Sequence, residues 1–305
     1  MGIRPRGIIL VTALICKSII SVDVEDYYHV EAFAGVIDRG TWPDYASRVE
    51  RNTRRILDLF DDHKVKGTFF ILGWVAERYP NLVREITARG HEPACHSYWH
   101  RLIYKLTPDE FREDTRRAKD VIEQASGERI YGYRAPSFSI TNRSAWALDI
   151  LAEFGFTYDS SVFPVKHDVY GVPGAPRSPF RVKTPFGSIV EFPIATFRFK
   201  AGGPNMPVAG GGYLRMLPYW YTRTGVQRAW REGLPVVSYI HPWEIDPDQP
   251  RIGAPFKSRL RHYSNLKKTE GRLRQLLTLD HFSNFRDSGL LASAPAFSFK
   301  ETVSR

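Results

Sequence analysis

The sequence predicts an α/β fold, a parallel sheet wrapped by helices and curled into a barrel, and three observations carry that prediction. Apolar runs of strand length alternate with segments of helical apolar spacing along much of the chain. The residues able to do chemistry fall at or just beyond the ends of those apolar runs, where a barrel gathers its strand ends at one mouth. A chain of 305 residues, 43% hydrophobic, can bury one large core.

The elements follow in order. Residues 19–23 read as a buried strand, and 48–62 as a helix with Val49, Ile56, Leu57, Leu59 and Phe60 on one face. A second buried strand spans 67–72, a helix over 80–88 is stopped by Gly90, and a third strand covers 91–95. Thr107-Pro108-Asp109-Glu110 opens the clearest helix, with Thr107 as cap, proline in the first turn and Glu110 completing a capping box; Gly127 closes it. A strand over 129–133, a helix over 142–154 capped by Asn142, and a strand over 156–159 continue the alternation. Phe180 to Phe192 then reads as a hairpin around Pro185-Phe186-Gly187-Ser188, followed by a glycine-rich stretch. These glycines do not link a strand to a helix at phosphate-loop spacing, which argues against a nucleotide site. A helix over 219–232, stopped by Gly233, and a strand over 234–240 complete the pattern. The expected organisation is a leader over 1–18, a barrel over 19–250 with a loop and hairpin insertion at 165–218, a basic helical extension over 251–286, and a mobile tail over 287–305.

Charge and cysteine content exclude some classes. Two cysteines, Cys16 and Cys95, cannot build a disulfide framework, and Cys95 reads as a small buried hydrophobe. The net charge of +10 is concentrated: between Arg251 and Arg274 eight basic residues face only Glu270. Such a segment could meet an anionic polymer or act as a peripheral membrane contact, but no nucleic-acid motif accompanies it. Arg4 and Arg6 before the apolar run 8–16 resemble the start of a signal peptide. That run is too short to span a bilayer, and no small-residue cleavage site follows it, so it reads as an uncleaved or mis-started leader. Placement in the bacterial cytoplasm or at the cell envelope stays open.

The chemistry centres on His96 and His100, which at four-residue spacing lie on one face of a helical turn and can share a metal ion. Three carboxylates, Asp23, Glu25 and Asp26, end the first strand, and His241 ends the last. Two neutral imidazoles and a carboxylate leave coordination positions open for water and a substrate oxygen, the donor set of a hydrolytic metal site.

Six segments then carry a family resemblance: Ser21-Val22-Asp23-Val24-Glu25-Asp26, Thr68-Phe69-Phe70-Ile71-Leu72-Gly73, His96-Ser97-Tyr98-Trp99-His100, Arg134-Ala135-Pro136-Ser137-Phe138, Tyr158-Asp159-Ser160-Ser161 and His241-Pro242. Their order resembles that of the polysaccharide deacetylase (NodB-homology, carbohydrate esterase 4) family over 19–246. The segment 260–277 looks like the C-terminal extension of a subgroup linked to bacterial exopolysaccharide gene clusters. The resemblance implies a deformed (β/α) barrel and metal-dependent removal of acetyl groups from N-acetylhexosamine units of a polysaccharide or oligosaccharide. It assigns His96 and His100 as metal ligands and Asp23 as the general base. Arg134 becomes the ion-pair partner of Asp23, and His241 the acid that protonates the departing amine. The backbone N–H of Tyr98 becomes an oxyanion donor. Asp159 is expected to orient His241. The family's adjacent Asp-Asp is absent here, so the metal carboxylate is Asp26 or Glu25: Glu25 shares strand parity with Asp23, while Asp26 matches the ligand type and is narrowly preferred. Zinc is the default ion, with other divalent ions compatible. Two rivals stand beside this reading: an amidohydrolase acting on a small cyclic or linear amide, and an inactive glycan-binding protein.

Overall fold

The computed structural model describes residues 18–167, 169–208 and 210–299, so the expected leader lies, apart from its last residue, outside the described residues. Strands β1 (Ser18–Val24), β2 (Thr68–Ile71), β3 (Glu92–Cys95), β4 (Gly132–Tyr133) and β5 (Tyr158–Asp159) run parallel, each hydrogen-bonded to the next. Helices α1 (Val49–Asp62), α2 (Gly73–Arg78), α3 (Pro80–Ala88), α4 (Pro108–Ser126) and α5 (Ala147–Glu153) fill the connections. The hairpin of β6 (Phe180–Thr184) and β7 (Gly187–Glu191) follows, and β7 pairs in parallel with β5. It is therefore a continuation of the main sheet and not an insertion: Ile189 and Val190 are buried and extend the same core. A small pair, β8 (Thr196–Phe197) with β9 (Met206–Pro207), precedes α6 (Gly211–Met216) and α7 (Tyr219–Arg231). Strand β10 (Val237–Ile240) returns to pair with β1.

Single backbone contacts tie loop backbone to β10. Ala195 N–H donates to the Val237 carbonyl at 3.1 Å, and Gly210 bridges Tyr239. Glycine is required there, because a Cβ on Gly210 would lie 2.4 Å from the Tyr239 ring. The result is a mixed, mainly parallel α/β sheet of the predicted class, with loop backbone reaching from beyond β7 to β10.

The C-terminal extension is helical as expected, with α8 (Phe256–Tyr263) and α9 (Leu266–Leu277). It then re-enters the sheet: β11 (Phe282–Ser283) pairs with the start of β1, and β12 (Ala296–Phe297) pairs with β6. The tail expected to be mobile is thus docked as far as 299, held by Phe297 packing edge-on against Phe180. The 142–154 segment also departs from expectation. Thr141, not Asn142, caps a 3-10 turn over Asn142–Ser144, and the α-helix begins only at Ala147. The α4 capping box forms as read, with Thr107 Oγ1 accepting from Glu110 N and the Glu110 carboxylate accepting from Thr107 N, and Gly127 closes the helix at φ 73°.

Strand parity positions the site. In β1, Ile20, Val22 and Val24 pack outward in the layer beneath the helices, while Ile19 joins Phe70, Ala94, Val237 and Tyr239 in the interior cluster. Because strand side chains alternate with period two, Asp23 shares Ile19's inward parity, and the next inward position is Glu25. The same count carries Ala94 to His96 and Tyr239 to His241. The interior core ends where these residues begin.

Candidate active site

Glu25, His96 and His100 are buried, with ligand atoms all within 4.8 Å of one another. Glu25 Oε2 lies 2.8 Å from His100 Nε2 and has no other partner among the described residues. His96 Nδ1 bonds the Arg134 carbonyl at 2.8 Å, which fixes the tautomer with Nε2 as the free lone pair. Burial, resisted mainly by Asp23, lowers His96 to a pKa of about 4, so it stays neutral as a ligand must. Burial alone would raise the Glu25 carboxyl, but His100, His241 and His96 together pull it well below the ordinary range. This donor set, two imidazoles and an under-partnered buried carboxylate, fits a divalent cation.

The histidine segment is not the helical turn expected from its spacing. Ser97 and His100 take φ of 60° and 50°, and the residues between strand and next helix form a tight irregular loop. Asp114 accepts from the backbone N–H of Tyr98 at 2.7 Å and of Trp99 at 3.2 Å. Arg39 donates to the carbonyls of Trp99 and His100. Those clamps hold a left-handed backbone that side-chain-bearing residues rarely adopt.

Asp23 sits across the site. Its Oδ1 lies 2.7 Å from Arg134 Nη1, in a fully buried ion pair; Arg134 also donates to Ser21 Oγ and to the carbonyl and hydroxyl of Ser160. His241 Nε2 approaches Asp23 Oδ2 at 3.8 Å and Glu25 Oε1 at 3.6 Å. Its Nδ1 bonds Glu244 Oε2 at 2.9 Å, and Glu244 Oε1 accepts from Arg215 Nε at 2.9 Å. Burial opposes the charged ring, yet Glu244 first, then Glu25 and Asp23, lift His241 to about 9.

Three expected residues stand elsewhere. Asp26 has the opposite strand parity and caps the start of α1: Oδ2 accepts from Ser47 Oγ at 2.7 Å, Arg48 N at 2.7 Å and Val49 N at 3.0 Å, and Oδ1 from Tyr27 N at 3.0 Å. The carboxylate facing the imidazoles is Glu25. Asp159 bonds Ser161 at 2.6 Å and pairs with buried Glu191, whose carboxyl burial and the Asp159 charge push far up, so it does not touch His241. The residue that orients His241 is Glu244. Its three-residue spacing from His241 was a usable signal; nothing local announced Arg215. The Tyr98 amide is spent on Asp114 and is not free to meet an oxyanion.

Asp23, Glu25, His96, His100, His241 and Glu244 line a cavity of about 700 Å³ walled further by Phe138, Tyr170, Met206, Tyr213 and Arg261. The basic extension is partly structural: Arg272 donates to the Leu214 and Arg215 carbonyls, and Arg274 pairs with Glu270 and Asp62. Phe256 and Leu260 are left exposed on α8 beside Lys257 and Arg259. No helix among the described residues is long and apolar enough to cross a membrane.

Comparison with known proteins gives matches to parts of the chain. Residues 37–158 match the polysaccharide deacetylase family model, and 160–289 match a domain of unknown function, DUF3473. A peptidoglycan-N-acetylglucosamine deacetylase of Bacillus cereus is 35% identical over 98 residues, covering 32% of this chain and 36% of that protein. A chitooligosaccharide deacetylase of Bradyrhizobium sp. is 29% identical over 100 residues, 33% of this chain and 43% of that protein. The chain thus spans well under half the length of these curated relatives. Among solved structures, a Mycobacterium smegmatis protein provisionally described as a polysaccharide deacetylase superposes with a TM-score of 0.62 at 19% identity, covering 94% and 96% of the two chains. The allantoinase PuuE superposes at 0.56 and 16% identity over 90% and 89%. The two structures share the fold, and residues 37–158 carry a polysaccharide deacetylase match, in line with the motif order read from the sequence.

Proposed function

We propose that this protein is a metal-dependent N-deacetylase that removes acetyl groups from N-acetylhexosamine units of a bacterial polysaccharide, an exopolysaccharide being the substrate class its extension suggests. The observation that carries the reading is the Glu25–His96–His100 group with Asp23 and His241 beside it at one cavity, His241 Nε2 standing 3.8 Å from Asp23 Oδ2 and 3.6 Å from Glu25 Oε1. Glu25, His96 and His100 hold the cation, with zinc the default. When bound, that ion supplies Lewis-acid polarisation of the acetyl carbonyl and of the attacking water. Asp23, oriented by Arg134, takes the water's proton. His241, held at Nδ1 by Glu244, presents Nε2 to the cavity and delivers a proton to the nitrogen, without which an amine leaves poorly. Glu244 in turn is neutralised by buried Arg215, so the acid keeps one orientation through the cycle. The exposed apolar and basic residues of α8 are read as the contact to an anionic surface.

The test is acetate release from chito-oligosaccharides by wild type and His96→Ala, stripped with chelator and reloaded with zinc. Turnover should require both the cation and His96. Chelator-insensitive turnover by both proteins rejects the mechanism. Hydrolysis of imides without acetate release would transfer the protein to the amidohydrolase reading, and glycan binding with no stoichiometric metal to the inactive one.

A further inference from the structure

The matched segment of unknown function supplies a second set of contacts to the site, apart from the His241–Glu244 couple. Trp243, just past β10, is buried at 6% exposure and donates its indole Nε1–H to Glu25 Oε1 at 3.1 Å. Its ring stacks with two imidazoles: His241, with centroids 5.2 Å and planes 24° apart, and His262 of α8, at 4.1 Å and 14°. His262 is itself fixed, because Nε2 bonds Gln249 Oε1 at 2.6 Å while Gln249 Nε2 donates to the Trp243 carbonyl at 2.8 Å. A closed loop of contacts therefore runs from α8 through the indole to the carboxylate that faces His96 and His100.

Resting on the cation reading given above, we propose that Trp243 is a positioning residue for the metal carboxylate. Its N–H holds Glu25 Oε1 so that Oε2 is the oxygen turned to the ion, and His262 from the C-terminal extension sets the plane of the indole. The physical case is one of rotamer choice. Glu25 carries three side-chain torsions, its backbone lies just past the end of β1, and among the described residues its Oε2 has no partner but the His100 ring nitrogen. The other group near Oε1, His241 Nε2, stands at 3.6 Å, beyond good hydrogen-bond reach. Without the indole the carboxylate can turn to other rotamers before each binding event. Partners that orient a ligand in this way typically govern about 10- to 100-fold in metal affinity. The extension containing α8 is, on this view, part of the site and not an appended module.

The experiment is calorimetric titration of the chelator-stripped full chain with zinc chloride, alongside thermal unfolding of each variant. Trp243→Phe keeps an aromatic ring in the stack but removes the N–H donor along with one ring of the indole; its zinc affinity should fall about 10- to 100-fold, with kcat on chito-oligosaccharide recovering as zinc is raised. His262→Phe, which preserves the stack, should bind more tightly than His262→Ala. If Trp243→Phe does not fold, the His262 pair carries the test. Zinc binding by folded Trp243→Phe within twofold of wild type overturns the proposal while leaving the cation reading intact. Wild type that takes up no zinc overturns both.

Discussion

Adjacent carboxylates in one acidic motif do different work. Glu25 faces two imidazoles, whereas Asp26 faces the amide groups that open α1. Their difference is parity: one residue's shift turns a side chain to the other face of a strand. Two variants separate the roles. Glu25→Gln should lose about 100-fold or more in zinc affinity while keeping its unfolding midpoint, since the amide is isosteric but a poor ligand. Asp26→Ala should bind zinc within a few-fold of wild type but lose about 2–3 kcal/mol of stability, because buried N–H donors are left unsatisfied. Titration calorimetry and denaturant unfolding read the two quantities. Much of this scale was legible beforehand. Asp23, His96, His100 and His241 line one cavity, at or just past the strand ends, with Arg134 buried against Asp23. What misled was residue type: Asp26 resembled the usual ligand, and Asp159 resembled the usual partner of the acid. The parity count pointed to Glu25 all along. Asp159 instead sits beside Glu191, its register partner on β7, which no local pattern connects to it.

At the scale of elements, the turn after β10 is tied to α1 by one carboxylate. Asp246 accepts from Arg48, Arg51 and Asn52, and is 1% exposed on its side chain. Burial raises its carboxyl, but the hydrogen bonds and charge of Arg48 and its neighbours win, and the net direction is down. A depressed carboxylate stabilises the fold above its unfolded pKa, near about 3.9, and loses that contribution as pH falls toward the folded value. Asp246→Asn should therefore cost about 1–3 kcal/mol at pH 7, discounted for the exposure of Arg51, and should unfold less steeply with acid between about pH 4 and 2 than wild type does. Urea midpoints across that range check it. The sequence signalled α1 and β10 clearly, through apolar spacing and the His241-Pro242 stop. It could not signal their tie, because the carboxylate and its arginine are separated by 198 positions and share no local pattern. The hairpin was legible as a hairpin, while its place in the main sheet depended on which strand edge was free.

Across the whole molecule, charge is asymmetric, and α8 is where basic and apolar side chains are exposed together. Phe256 is 75% exposed and Leu260 53%, with Lys257 and Arg259 beside them. An anionic polymer would pair the cations yet leave the phenyl ring in water, whereas an anionic bilayer surface takes up both. Vesicles containing anionic lipid should co-sediment the protein at low salt, zwitterionic vesicles should not, and Phe256→Glu with Leu260→Glu should abolish the difference. Equal sedimentation of that double variant would refute a role for α8.

The imidazole that follows β10 and the carboxylate that steers it, His241 and Glu244, are encoded within a single four-residue turn. On the proposed mechanism a proton donor built that way is heritable as a cassette: it needs no compensating change on a distant strand, and it leaves Asp159 to pair with Glu191, burial raising both carboxyls. Homologues in this lineage should thus keep or lose the two residues of the turn together.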